Sequence, residues 1–290
     1  MLALLTAVIF LYLLSFLFWF LFRRNKALTG PKVLEFHKVD SRKEWGITSL
    51  TPAKFERLVS FLQDRDFETV NLREYGRLLD KPADRKTLLI FDDAYESVYD
   101  NAVPILKKAG YTATIFVITG FAGRTNNWDV SPGRKFRHLS WEQIKELAGK
   151  GYSFGSHTVN HPDLTRLSDK QVEFELRKSK EVLEDKLGQE VSSLSYPFGR
   201  FNFKVQKLAE QAGYKLGFSL YPARFQSCVA NLAIRSTSIY RFDNRLVWKL
   251  KLEGGFWHWL EDYKSYLINQ FSLATPLLKP LRNSEANRIQ

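Results

Sequence analysis

Short apolar runs alternate with amphipathic stretches from residue 33 to residue 240. The runs VLEFH (33–37), FETV (67–70), TLLIF (87–91), TATIFVI (112–118), YSFGSH (152–157), VSSLSY (191–196), KLGFSL (215–220) and IRSTSI (234–239) have the length and composition of strands. Between most of them the pattern turns helical. PAKFERLVSFLQDRD predicts a helix capped by Thr51, with Pro52 at its first position. SDKQVEFELRKSKEVLEDKLG predicts another, opened by Ser168 and stopped at Gly188. Such alternation predicts parallel βα units, in a barrel or in an open doubly wound sheet. In both architectures chemistry gathers at the carboxyl ends of strands. No internal repeat or low-complexity linker interrupts the pattern.

Two segments stand outside the alternation. Residues 2–22, LALLTAVIFLYLLSFLFWFLF, are uncharged and, as a helix, long enough for a hydrocarbon core of roughly 30 Å. The run ends in Phe18, Trp19, Phe20, Leu21 and Phe22, where a cleaved signal peptide would need small residues, so a retained transmembrane anchor is expected. Arg23, Arg24 and Lys26 follow it, and the positive-inside rule then favours a cytoplasmic body at a bacterial inner membrane. Past residue 240, RLVWKLKLEGGFWHWLEDYKSYLINQF collects Trp248, Trp257, Trp259, Tyr263 and Tyr266 among basic residues. It predicts either two helices packed on the domain or a segment lying in the membrane interface. The expected organisation is an anchor with its basic flank (1–26), an α/β domain (27–240) and a helical extension (241–290).

The formal charge of +12 fits an anionic membrane surface or a phosphate-bearing substrate as well as a solvated basic face. No zinc-finger, RNP or helix-turn-helix pattern supports nucleic acid as a partner. The single cysteine, Cys228, excludes an internal disulfide.

Three strand ends carry candidate chemistry. TLLIF runs into Asp92 and Asp93. Adjacent carboxylates repel, and a divalent cation reverses that balance: one binds the metal and the other stays free to take a proton from water. An exposed turn or a helix N-terminus is the bland reading of this pair. YSFGSH runs into His157 and His161, two imidazoles four positions apart in a stretch that is not helical. Imidazole suits zinc and related ions, and catalytic sites commonly offer three protein ligands. The third end reads SYPFGRFN, where Pro197 and Gly199 force a turn that can present the Phe198 N–H to an oxyanion.

Together these segments resemble the polysaccharide deacetylase family, also called the NodB-homology or carbohydrate esterase 4 family. IFDDA is similar to its TFDDG motif, and the following Tyr, Asn-Ala-x-Pro-Ile-Leu helix and ATIFV strand are present between Tyr95 and Val117. His157, Thr158, Val159, Asn160, His161 and Pro162 match its H-[ST]-x-x-H-P motif, and Ser195 to Gly199 match R-x-P-[YF]-G in part. VLEFHKV resembles the YHxV strand of membrane-associated and secreted members.

The resemblance covers roughly residues 33–240. It implies a deformed (β/α) barrel and a metal-dependent hydrolase that removes N-acetyl groups from amino sugars. By position it makes Asp93, His157 and His161 the metal ligands, for Zn2+ or else Co2+, Ni2+ or Mn2+. It makes Asp92 the catalytic base and the Phe198 N–H an oxyanion donor, and it sets His37 at the mouth of the site. Three departures stand out. No histidine occupies the late strands from which many members supply a general acid, Ser195 replaces the arginine that steadies the base, and Ala94 replaces a usual glycine. His37 or a metal-bound water is then the candidate acid, and Arg235 or Arg241 is a candidate to steady a carboxylate or bind a substrate phosphate. The expected substrate is an envelope glycan or lipid-linked saccharide. Deformylation of a lipid-linked formamido sugar, and a catalytically weakened glycan binder, are the alternatives.

Overall fold

The computed structural model describes residues 30–42, 46–126, 135–220, 229–254 and 258–271. The expected anchor at 2–22, Cys228 and Trp257 lie outside them. Among the described residues no helix is long and apolar enough to cross a membrane.

The frame is a parallel sheet. β1 (Lys32–Phe36) pairs with β5 (Lys86–Phe91) in a register that runs from Lys32 opposite Thr87 to Phe36 opposite Phe91. β6 (Thr114–Val117), β7 (Ser153–Ser156), β8 (Ser193–Ser195) and β9 (Leu216–Ser219) follow in sequence order, each parallel to the last. The run 234–239 then divides. β10 (Ile234–Arg235) pairs with β9, while β11 (Thr237–Ser238) pairs with β1. Between them the Ser236 N–H still donates to the Ser219 carbonyl at 2.9 Å, and the Ile239 N–H donates to the Glu35 carbonyl at 3.0 Å. One short segment thus changes partner in mid-course and brings the sheet nearly to closure as a barrel. The open doubly wound sheet is ruled out by that pairing.

FETV yields only the two-residue β4 (Glu68–Thr69). It meets β5 at Lys86 and Thr87, and β6 occupies the same flank further along at Ile90 and Phe91. A separate parallel pair, β2 (Lys38–Val39) with β3 (Ser49–Leu50), extends the chain beyond β1.

Helices cover the outside. α1 (Pro52–Gln63) begins where Thr51 Oγ1 accepts the Lys54 N–H, and it buries Phe55, Leu58, Val59, Phe61 and Leu62. Phe55 meets Phe36 and Phe91 at ring separations of 5.4 and 5.8 Å, so the helix seals the end of β1 and β5. Burying one such ring contributes about 1.5–3 kcal/mol. α2 (Leu72–Leu78), α3 (Val103–Ala109), α4 (Trp141–Gly149), α5 (Asp169–Leu187) and α6 (Phe203–Gln211) complete the layer. Gly155 in β7 is required for packing, because a Cβ there would lie 2.3 Å from the Phe116 ring.

The start of the extension packs on the domain. In α7 (Arg245–Glu253) Trp248 is 3% exposed and meets Phe61 edge-on at 5.6 Å. Lys251 is buried against Asp243 and donates to the Ser238 carbonyl at 2.8 Å. α8 (His258–Phe271) is tied to β10 by Arg235 and Asp262 at 2.7 Å. Arg235 is therefore committed to that pair and not to a carboxylate at the site.

Candidate metal centre

The ends of β5, β7 and β8 converge. Asp93 Oδ1 lies 3.4 Å from His157 Nε2 and 3.5 Å from His161 Nε2. These separations fit a shared ion: bonds of about 2.0–2.1 Å at tetrahedral angles place donor atoms about 3.3 Å apart. Asp93 Oδ1 is buried without a hydrogen-bond partner, so the set is an orphaned carboxylate oxygen between two imidazole nitrogens. His157 Nδ1–H donates to the Ser195 carbonyl at 2.8 Å, so Nε2 is the nitrogen that faces Asp93 and is left to bind an ion.

Backbone conformation explains how these side chains reach one point. Of the seven described non-glycine residues with positive φ, five are at the site: Asp93 (69°), Ala94 (54°), Thr158 (67°), His161 (55°) and Phe198 (59°). Left-handed backbone costs such residues about 1–2 kcal/mol each, and cross-links hold it here. The His138 Nδ1–H donates to the Asp93 carbonyl at 2.6 Å, and the Leu139 N–H donates to the Ala94 carbonyl at 2.8 Å. His138 is buried and stacks on Tyr95 at 4.8 Å. The histidine loop is fixed from α5, where the Glu175 carboxylate accepts the N–H groups of Val159 and Asn160 and the Asn160 side-chain amide at 2.8–2.9 Å. The Phe198 ring packs on His161 at 4.6 Å.

Asp92 stands beside the centre and does not share its ligand point. It is buried, Ser195 Oγ donates to its Oδ2 at 2.8 Å, and its Oδ1 is without a partner. Ser195 thus contacts the carboxylate that the missing arginine would steady. His37 follows β1 directly, and Asp92 follows β5 in the adjoining register, where the Asp92 N–H donates to the Phe36 carbonyl at 2.9 Å. Ligand atoms of Glu35, His37 and Asp92 lie within 4.8 Å of one another.

Charge divides these groups. Burial pushes Asp92 up against the opposing pull of His157 and His37. Burial would also raise Asp93, but His157 and His161 hold its carboxyl well below the usual range. Burial lowers His161 to about 3, while for His157 it is outweighed by Asp92 and Asp93, which raise the imidazole to about 9. Glu35 rises to about 7 through burial and the neighbouring Asp92. Two adjacent carboxylates of opposite tendency suit one ligand and one proton acceptor.

The fold brings together at one end of the barrel the residues that the sequence singles out, Asp92, Asp93, His157, His161, His37 and Phe198. The sequence does not single out Glu35, His138 or Glu175. His138 sits outside any motif, and the only signal for Glu35 was a charged residue inside an apolar strand.

Residues 80–217 match the protein family described as Polysaccharide deacetylase. YxkH of Bacillus subtilis, a polysaccharide deacetylase by name, is 34% identical over 194 residues, 66% of this chain and 64% of that protein. The chain therefore spans less than two thirds of that relative's length. The poly-beta-1,6-N-acetyl-D-glucosamine N-deacetylase of Staphylococcus aureus is 29% identical over 225 residues, 69% of this chain and 73% of that protein. Among solved structures, the deacetylase PplD of Streptococcus pyogenes in complex with acetate superposes with a TM-score of 0.66 at 26% identity, over 78% of this chain and 99% of that one. The strand-end site lies within the matched segment apart from His37 and Glu35, and the parallel barrel is the fold of the solved relative. Over residues 80–217, a little less than half of its length, the chain is similar to the polysaccharide deacetylase family.

Proposed function

We propose that the protein is a metal-dependent N-deacetylase acting on an amino-sugar glycan presented at a membrane. The observation that carries this reading is the convergence of Asp93, His157 and His161 with Asp92 directly beside them. The name of the Staphylococcus aureus relatives supports a polymer of N-acetylglucosamine as the substrate class.

Asp93, His157 and His161 would hold a divalent ion, with Zn2+ the best match to one carboxylate and two imidazoles. When bound, the ion lowers the pKa of a water and polarises the amide carbonyl. The remaining work falls to the chain. Asp92 takes the proton of the attacking water on Oδ1, while Ser195 keeps Oδ2 in place. The Phe198 N–H supports the oxyanion. His37 returns a proton to the leaving amine. β1 lies between β5 and β11, so a histidine at its end stands on the side of the barrel mouth where the late strands also end. That placement supports His37 as the acid and argues against a retired enzyme.

The test is acetate release. Purified chain loaded with Zn2+ or Co2+ is expected to release acetate from N-acetylglucosamine oligomers, and Asp92→Asn to lose at least about a hundredfold in rate while keeping its metal. No acetate from any N-acetylated glycan or lipid-linked sugar sinks the reading. Formate from a formamido sugar in place of acetate changes the acyl group and keeps the chemistry. The apolar segment 2–22 would supply the tether, and its basic flank predicts that a C-terminal reporter fusion is active on the cytoplasmic side.

A further inference from the structure

The inner face of the barrel carries a second group of candidate ligands, placed by strand register and not by loops. Alternation along the β1 stretch turns Val33, Glu35 and His37 to one side. The pairing of Glu35 with Ile90 puts Leu88, Ile90 and Asp92 on that same side. Val33, Leu88 and Ile90 share a buried apolar cluster in which Phe116 of β6 meets Phe218 of β9 at 5.4 Å across the barrel, so this side is the interior. Glu35, His37 and Asp92 continue it to the rim, and their ligand atoms lie within 4.8 Å of one another.

Hydrogen bonds leave the group unfinished. Ser195 Oγ donates to Asp92 Oδ2 at 2.8 Å, and Glu35 accepts from Ser236 and, at 3.1 Å, from Ser238. All three partners are neutral hydroxyls. Asp92 is 5% exposed, and its Oδ1 and His37 Nδ1 are buried without hydrogen-bond partners. Two buried carboxylates this close repel, and burial together with Asp92 pushes Glu35 up to about 7. A proton on Glu35 offsets the repulsion but leaves the imidazole nitrogen idle. A divalent cation offsets it and uses all three groups, a donor set of two carboxylates and one imidazole that suits zinc and its neighbours.

The two centres divide one dipeptide. Asp93 goes with His157 and His161, and Asp92 goes with His37 and Glu35. The first centre is already spaced for an ion, with Asp93 Oδ1 at 3.4 and 3.5 Å from its histidines. The second is held only within 4.8 Å, and an ion there must displace a proton from Glu35 or loosen the serine hydroxyls on it. It is therefore the weaker of the two. Asp92 and His37 are also the groups that would carry protons in the reaction, and an ion held by them leaves neither able to accept or return one.

We propose that Glu35, His37 and Asp92 form a second, weaker site for a divalent transition-metal ion, and that filling it stops the deacetylation. The inhibition rests on the deacetylase reading, whereas the ion site itself does not.

The experiment uses the full chain stripped of metal. Zn2+ is titrated by calorimetry into the wild type, Glu35→Gln, His37→Asn and Asp93→Asn. The wild type is expected to bind one ion tightly and then another more weakly. Glu35→Gln and His37→Asn are expected to keep the tight event, which also shows that they fold, and to weaken the second about tenfold or more. Asp93→Asn is expected to lose the tight event and keep the weak one. Acetate release is then followed against free Zn2+, with each protein compared with its own rate at one equivalent. The wild-type rate is expected to fall about tenfold or more as the second event saturates, while Glu35→Gln holds its rate over the same range.

A single event in the wild type, or a second event untouched by both Glu35→Gln and His37→Asn, overturns the proposal and leaves the deacetylase reading standing. The inhibition is overturned when excess Zn2+ leaves the wild-type rate unchanged, or slows Glu35→Gln just as much. Two ions bound in the expected way by a chain that releases no acetate at any Zn2+ level sink the deacetylase reading and leave the second ion site in place.

Discussion

Ser195 donates one hydroxyl to Asp92, the base in the proposed mechanism. A hydrogen bond to a buried carboxylate is worth about 1.5–3 kcal/mol, so Ser195→Ala is expected to slow turnover about tenfold or more with metal stoichiometry unchanged. Equal loss of metal and rate would assign Ser195 to the ligand set instead. Glu35 makes a different prediction. Its carboxyl, raised from 4.5 to about 7 by burial and Asp92, also faces His37 and the hydroxyls of Ser236 and Ser238. Between those two values the folded chain keeps a proton that the unfolded chain has released. The contribution of Glu35 to the stability of the metal-free protein should therefore fall as pH rises from 4.5 to 7, by up to about 3 kcal/mol, opposite in sign to the contribution of His161 over the same range. Equilibrium unfolding of the wild type and of Glu35→Gln across that range isolates it: the wild type should lose stability relative to the variant as pH rises, and parallel curves would remove Glu35 from the account. The site residues that were readable in advance are those bound by local spacing, Asp92 beside Asp93 and His157 four positions before His161. Ser195 and Glu35 act on partners 103 and 201 residues away, and no local pattern encodes such pairs.

At the scale of elements, the helix that matters most to the site carries none of the candidate ligands. α5 was legible from end to end by its opening serine and closing glycine, yet nothing in its amphipathic pattern marked Glu175 as the residue that grips the histidine loop. The carboxylate is 6% exposed and accepts three hydrogen bonds from residues 159 and 160. Glu175→Ala frees two backbone N–H groups beside His161 and leaves the left-handed His161 backbone without its brace. Metal affinity should drop about 10–100-fold, read by competition with a chelator, while secondary structure stays intact. Unchanged affinity would show that the Thr158 hydroxyl, which accepts the His161 N–H at 3.0 Å, suffices alone. Strand limits were less readable than strand positions. FETV and IRSTSI have the composition of ordinary strands, and only the competition among partners in three dimensions shortens one and splits the other.

For the whole molecule, the extension is part of the fold. Lys251 and Asp243 are 2% and 0% exposed, and Lys251→Met would strand the Asp243 carboxylate in the interior. Such a loss typically costs about 3–5 kcal/mol, and chemical denaturation should register it as an early transition. A transition at the wild-type position would mean that Lys264, 3.4 Å from Asp243, takes over the charge. The segment at 234–238 has a consequence in time. Asp93, His157 and His161 all leave the ribosome well before Ser236 and Ser238, which bond Glu35 and bridge β9 to β1. A nascent chain can therefore hold all three candidate ligands while the barrel is still a half-open sheet with two bare edges. Unpaired edges of that kind invite pairing with another chain. The few residues of β10 and β11 act as the molecule's clasp, covering both edges at once, and their late arrival sets the window in which the growing protein is open to misassembly.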